Sequence, residues 1–154
     1  MDMSTLLSPG AVRALGSTTS KKRLLQTLGD VAKSVYGIDA DLAIEALQER
    51  ESLGPTGVGH GVALPHARLE GLDRVVGVFL RLGKPLDYAS VDKIPVDLVF
   101  ALFAPRSAGV EHLKALAFVS RTLRNPDICN QLRSNDDTSK LFEILNSDKS
   151  IKAA

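Results

Sequence analysis

His66 is the residue of this chain best placed to do chemistry. It follows Pro65 at the end of a short apolar run, and the run is approached through Gly57-Val58-Gly59-His60-Gly61. Glycine permits backbone conformations and close approaches that a β-carbon would block. Proline fixes φ and removes a donor, so a strand over about 61–64 is expected to stop there. An imidazole with an ordinary pKa near 6.5 is about three-quarters neutral at pH 7, so it can attack an electrophile without a dedicated base. Two further histidines accompany it: His60 between two glycines, and His112 in the first turn expected of a helix after Pro105.

Other chemistries fit these residues poorly. Along an extended strand, His60 and His66 would lie about 20 Å apart, whereas zinc ligands sit about 2 Å from the metal. There is no second cysteine, no HExxH and no CxxC, so no metal is expected. Gly59 is followed by His60 and Gly61 rather than by the Lys-Ser/Thr of a Walker loop, and Val62 stands where GxGxxG needs its third glycine. The GxSxG nucleophile elbow is absent. Cys129 falls beside the apolar face of a short helix and reads as packing. What remains is a histidine nucleophile in a loop of backbone donors. Phosphorus is its natural electrophile, because phosphoryl transfer needs mostly positioning and charge stabilisation. Backbone N–H groups around Gly59 and Gly61 are candidates to bind the phosphoryl oxygens, and a helix N-terminus near His112 would add partial positive charge.

The elements that must position these residues follow from the pattern of the chain. Its 154 residues suffice for one domain, with 44% hydrophobic and 24% charged residues and a formal net charge of +1. That balance, with 5% aromatics and no tryptophan, argues against nucleic acid. A lone cysteine excludes an internal disulfide and fits a reducing compartment. Neither a secretory signal nor a membrane-length apolar run is present, so a cytoplasmic location is expected.

Residues 1–19 are Ser, Thr and Gly rich and are expected as an N-terminal arm or a loosely packed start. Residues 20–147 make the domain, and 148–154 a frayed tail. Ser20 precedes a helical pattern that ends at Gly37. Asp39 caps a second helix through about Glu51, with Leu42, Ala43, Ala46 and Leu47 facing inward. Val75–Leu82 and Val96–Ala104 read as strands apolar on both faces. Lys84-Pro85 breaks the first of them, and a brief extended piece follows over 85–88. Three helices close the chain: one near 109–124 with Leu113, Leu116, Ala117, Ser120 and Leu123 on one stripe, one opened by Asn125-Pro126, and one capped within 134–137. The expected class is a single α/β domain with a covered central sheet.

The residues also resemble a known family. Glu51, six intervening residues, then Val58-Gly59-x-x-Val62-Ala63-Leu64-Pro65-His66 resembles the phosphorylation signature of the fructose/mannitol-type IIA proteins of the bacterial phosphotransferase system. Ser20-Lys21-Lys22-Arg23, Arg50-Glu51, Val96 to Leu102 and Glu111-His112-Leu113 sit where the nitrogen-related branch of that family has similar segments. The resemblance runs from about residue 5 to 147. It implies a mixed sheet of about five strands between helices, and a regulatory phosphocarrier without metal, nucleotide or other cofactor. An HPr-like donor would dock, His66 would take the phosphoryl group on its ε nitrogen, and regulatory target proteins would read the result. His112 is implied as the second site histidine and Arg50 as a charge-stabilising arginine, although an arginine at a helix end also serves merely to face the dipole. Thr56 either lends a hydroxyl to the site or bonds its own backbone. Two positions depart from the pattern. His60 replaces a small polar residue, and either hydrogen-bonds the phosphoryl group or occupies the rim. Ala67 replaces a common glycine, which costs energy if φ is positive there. The alternatives are a sugar-specific IIA component that passes phosphate to a IIB domain, and a binding module that is never phosphorylated.

Overall fold

The computed structural model describes residues 2–153, with side chains described for 2–147; the frayed tail expected at 148–154 lies outside the described side chains. Two strands form the centre of the sheet. Strand β5, Val76–Leu86, and strand β6, Val96–Pro105, pair antiparallel with Val78 opposite Ala101 and Leu80 opposite Val99. Every residue of β6 except Asp97 is buried, because helices cover both faces. Phe79, Phe100 and Phe103 fill this centre.

The remaining strands flank that pair. Strand β1, Val12–Leu15, runs parallel to β5 on one side. On the other side, β3 (Val62–Ala63) and β4 (His66–Leu69) both run parallel to β6, and β2 (Gly57–Gly59) pairs antiparallel with β3. The order is β1-β5-β6-β3-β2 with β4 also on β6, a six-stranded sheet where about five strands were expected. The additional strands come from two places. Pro65 does not end the extended chain, which resumes at His66. And the opening residues are not loose: helix α1 (Met3–Leu6), a 3-10 turn (Pro9–Ala11) and β1 bury Met3, Leu6, Leu7, Ala11 and Val12. The Tyr36 hydroxyl fastens this start by accepting from the Ser8 N–H at 3.1 Å and donating to the Gly77 carbonyl at 2.6 Å. Nor do Lys84-Pro85 break β5. The ladder shifts register between Arg81 and Leu86, and proline is tolerated at such an irregularity.

The helices begin where their caps predict. Ser20 Oγ accepts from the Arg23 N–H to open α2 (Lys21–Tyr36), which ends on Gly37 in the left-handed conformation, φ 71°. Asp39 caps α3 (Ala40–Ser52), Asn125 caps α5 (Pro126–Arg133), and the Asp137 carboxylate accepts from Ser139 N–H at the start of α6 (Thr138–Ala153). Two helices turn a different face inward than the apolar count suggested. In α3, Ala43 and Leu47 are buried but Leu42 is 57% exposed. In α4 (Gly109–Leu123) the core side carries His112, Ala115, Val119 and Thr122, while Leu113 is 62% exposed. Leu113 lines the site described next.

Candidate functional site

His66 begins β4 opposite Leu102 of β6. The chain between β3 and β4 explains its pose. Pro65 has no N–H to give, and only its carbonyl bonds β6, through the Leu102 N–H at 3.0 Å. The ladder is thus interrupted, and the Leu64 carbonyl turns to the imidazole, 2.9 Å from Nδ1. A carbonyl oxygen only accepts, so Nδ1 carries the proton. Arg50, at the end of α3, points its Nε–H at the His66 Nε2 across 3.3 Å. A guanidinium only donates, so Nε2 presents its lone pair. Two independent contacts therefore select one tautomer. Burial lowers the His66 pKa first, with the Arg50 charge acting the same way. The Leu64 bond and Glu51 oppose them. The lowered pKa favours the neutral ring, whose lone pair lies at Nε2.

His112 stands beside it, ring centroids 5.4 Å apart and planes tilted by 55°. It is 4% exposed, and its Nδ1 has no hydrogen-bond partner. Burial above all, with charges on His66 and Arg68, brings its pKa down to about 4. An orphaned buried polar atom is costly, and here it belongs to a neutral imidazole next to His66. The site opens into a pocket of about 560 Å³ walled by Arg50, Leu53, Arg68, Arg106, Leu113 and Leu116.

Behind Arg50 lies a cluster built on Glu51, the residue that opens the signature, for which the sequence reading gave no role of its own. The Glu51 side chain is 6% exposed and 2.6 Å from Lys21 Nζ. It accepts from the Thr56 N–H at 3.2 Å, from the Thr56 hydroxyl and from the Tyr88 hydroxyl at 2.9 Å. Lys21 also lies 4.3 Å over the Tyr88 ring. The available signal was a run of basic residues, Lys21-Lys22-Arg23, in the first turn of α2, where the helix dipole disfavours cations. Arg106, which shares the pocket with Arg68 and pairs with Glu70 at 3.2 Å, had no sequence signal.

The structure thus brings His66, His112 and Arg50 together. Thr56 is near, but its N–H and hydroxyl go to Glu51, so it supports the site from behind. Gly59, His60 and Gly61 are elsewhere. Gly61 bonds Asp97 and Leu98 while His66 faces Leu102, four to five residues along β6 and so about 15 Å away. These three residues form the β2–β3 turn, all with positive φ (98°, 56° and 80°). The His60 N–H donates to Asp92 at 2.9 Å, and its carbonyl accepts from Arg133 at 2.7 Å. The turn is a clamped corner and not a cradle beside His66. A small polar residue suits position 60 because it tolerates the left-handed conformation. Ala67 lies in β4 without positive φ, so the missing glycine costs nothing there.

Among the described residues, no group of three or more His, Cys, Asp or Glu side chains is placed to hold a metal, and no helix is long and apolar enough to cross a membrane.

A strand-borne histidine with a lone pair at Nε2, a neutral histidine and an arginine beside it, on a mixed sheet, define a class that comparison with known proteins makes explicit. The profile of the family described as phosphoenolpyruvate-dependent sugar phosphotransferase system, EIIA 2, matches residues 5–148, and the chain belongs to this family. Within it the chain is similar to nitrogen regulatory proteins. It is 43% identical over 145 residues to that of Bradyrhizobium diazoefficiens, covering 94% of this chain and 95% of that one. It is 34% identical to that of Escherichia coli, covering 94% and 90%. Among solved structures, the nitrogen regulatory protein IIA-Ntr from Neisseria meningitidis matches with a TM-score of 0.84 at 31% identity, covering 92% of this chain and 97% of that one.

Proposed function

We propose that this chain is a regulatory phosphocarrier of the nitrogen-related phosphotransferase branch, taking a phosphoryl group from an HPr-like protein onto His66. The observation that carries the reading is the tautomer: Nδ1–H on the Leu64 carbonyl, Nε2 lone pair toward the pocket. In the transfer, Nε2 forms its bond to phosphorus as the P–N bond of the donor's phosphohistidine breaks, and the electron pair of that bond leaves with the donor imidazole. The Nδ1 proton stays on His66, where the Leu64 carbonyl stabilises the positive charge that develops on the ring. The Arg50 guanidinium, already at Nε2, moves to the equatorial phosphoryl oxygens, and His112 donates to them as a neutral imidazole. No metal or other cofactor takes part in these steps.

Phosphorylation then adds between about 1.5 and 2 negative charges to the pocket mouth, which changes the partners the face can hold. The similarity to nitrogen regulatory proteins favours signalling. The 28% identity to the fructose-specific EIIA component of Haloferax volcanii keeps onward transfer to a sugar-specific IIB domain as the competing reading.

Incubation with a phosphorylated HPr-type donor is expected to give acid-labile, base-stable phosphate on the wild type and none on His66→Ala. Equal labelling of the two would sink the reading. Ready acceptance of that phosphate by a fructose- or mannitol-specific IIB protein would favour transport over regulation.

A further inference from the structure

Glu51 is a buried carboxylate that touches neither His66 nor the pocket, yet it receives four donors: Lys21 Nζ, the Thr56 N–H, the Thr56 hydroxyl and the Tyr88 hydroxyl. Holding a charge in the interior requires every partner in place, and an apolar side chain would fill the same space with less at stake. Lys21 adds to the anomaly. It stands in the first turn of α2, on the wrong side of the helix dipole, and is kept there by Glu51, by the Tyr88 carbonyl at 3.4 Å and by the Tyr88 ring. Departures from local preference that the surroundings over-determine cluster at functional sites.

Two paths lead from this carboxylate to the nucleophile. Glu51 fixes Thr56, whose carbonyl accepts from the Leu64 N–H at 2.9 Å, and the Leu64 carbonyl in turn holds the His66 Nδ1–H. Glu51 and Thr56 also close the ends of the short loop containing Gly54. The Gly54 carbonyl accepts from Arg50 Nη1 at 3.0 Å, which leaves the Arg50 Nε–H aimed at His66 Nε2. Both nitrogens of His66 are therefore governed from one anchor.

We infer that Glu51, held in place by Lys21 and Tyr88, is a positioning residue for phosphoryl transfer: it sets the tautomer and orientation of His66 through Thr56 and Leu64, and the aim of Arg50 through the Gly54 loop. The inference rests on the phosphocarrier reading for its kinetic consequence, but not for its structural one. Glu51 exchanges no proton with the reacting atoms and forms no bond to phosphorus.

The test uses the full chain with 15N-labelled histidine and a phosphorylated HPr-type donor. Long-range 1H–15N spectra of the wild type are expected to show His66 with its proton on Nδ1 alone. In Glu51→Gln a mixture of tautomers appears, and the single-turnover phosphorylation rate falls roughly 10- to 100-fold, the cost of slight misplacement of reacting groups. The donor concentration giving half-maximal rate stays unchanged, because docking is untouched. Should the unpaired Lys21 unfold that variant, Lys21→Met/Glu51→Gln removes both charges and must behave alike. A folded variant that keeps the wild-type rate overturns the inference. So does a slowed variant that keeps the single Nδ1–H tautomer, or one whose only defect is weaker donor binding. If the wild type takes up no phosphate, the phosphocarrier reading fails while the tautomer comparison still decides the positioning role.

Discussion

The two nitrogens of His66 do different work, and the residues around them predict how each responds to change. Arg50 lowers the basicity of His66 by its charge while aiming a donor at Nε2. Arg50→Gln is expected to raise the His66 titration midpoint, read from imidazole chemical shifts, and to slow phosphorylation by about 10-fold or more through the lost charge stabilisation. His112 makes a thermodynamic prediction. Its pKa falls from 6.5 in the unfolded chain to about 4 in the fold, chiefly through burial. Between those values the unfolded chain binds the extra proton, so stability is full above about pH 6.5 and falls as pH drops toward 4. His66, also lowered by burial, acts with the same sign. In His112→Gln, urea unfolding followed across this range should show a shallower loss of stability, with phosphorylation slowed at pH 7. An unchanged slope would separate His112 from the acid sensitivity of the fold.

At the scale of elements, the decisive device is the interruption between β3 and β4. Both run along β6, which acts as a ruler: Val62 faces Leu98, and His66 faces Leu102. The break at Leu64-Pro65 frees one carbonyl from the ladder at the point where an imidazole needs an acceptor. The same ruler separates the glycine turn from the site. His60 holds φ at 56° with its N–H on Asp92 and its carbonyl on Arg133. His60→Gly should therefore stabilise the protein by about 0.5 kcal/mol, since glycine adopts this conformation without strain but gives back part of that gain through its freer unfolded chain. Phosphate uptake should match the wild type. A large fall in uptake would restore the turn to the phosphate site.

For the whole molecule, what matters is where the site sits. It lies at the junction of α3, β4 and α4, at the surface, flanked by exposed apolar side chains: Leu53 at 81% and Leu113 at 62%. Leucines held in water add nothing to the stability of a fold, and an apolar rim around the proposed phosphorylation site suits a protein partner that must deliver its own reactive group. Leu113→Ser should leave stability within about 0.5 kcal/mol, because the side chain is already exposed. In phosphorylation assays it should raise the donor concentration for half-maximal rate several-fold with the maximal rate unchanged. A changed maximal rate with normal donor dependence would move Leu113 from docking to chemistry.

Much of this protein is local and was legible in one dimension. Ser20, Asp39 and Asn125-Pro126 announced helix starts because a cap is a bond between near neighbours. The apolar runs of β5 and β6 announced a covered sheet because burial on both faces leaves no polar alternation. Pro65-His66 marked the proposed nucleophile because proline acts on the adjoining residues. What the sequence could not settle depended on which distant segments meet. Glycine spacing made 59–61 look like a phosphate loop, but register on β6 carries those residues away from His66. The outward turn of Leu42 and Leu113 depended on which face each helix offers to the sheet. The arm of residues 1–19 gained its strand only by pairing with β5, and Glu51 gained its partners only because α2, α3 and the segment after β5 converge on one buried carboxylate. Neighbour chemistry determined most helices and the two central strands and singled out His66 as the candidate; tertiary packing alone chose its tautomer, its companions and the residues that hold them.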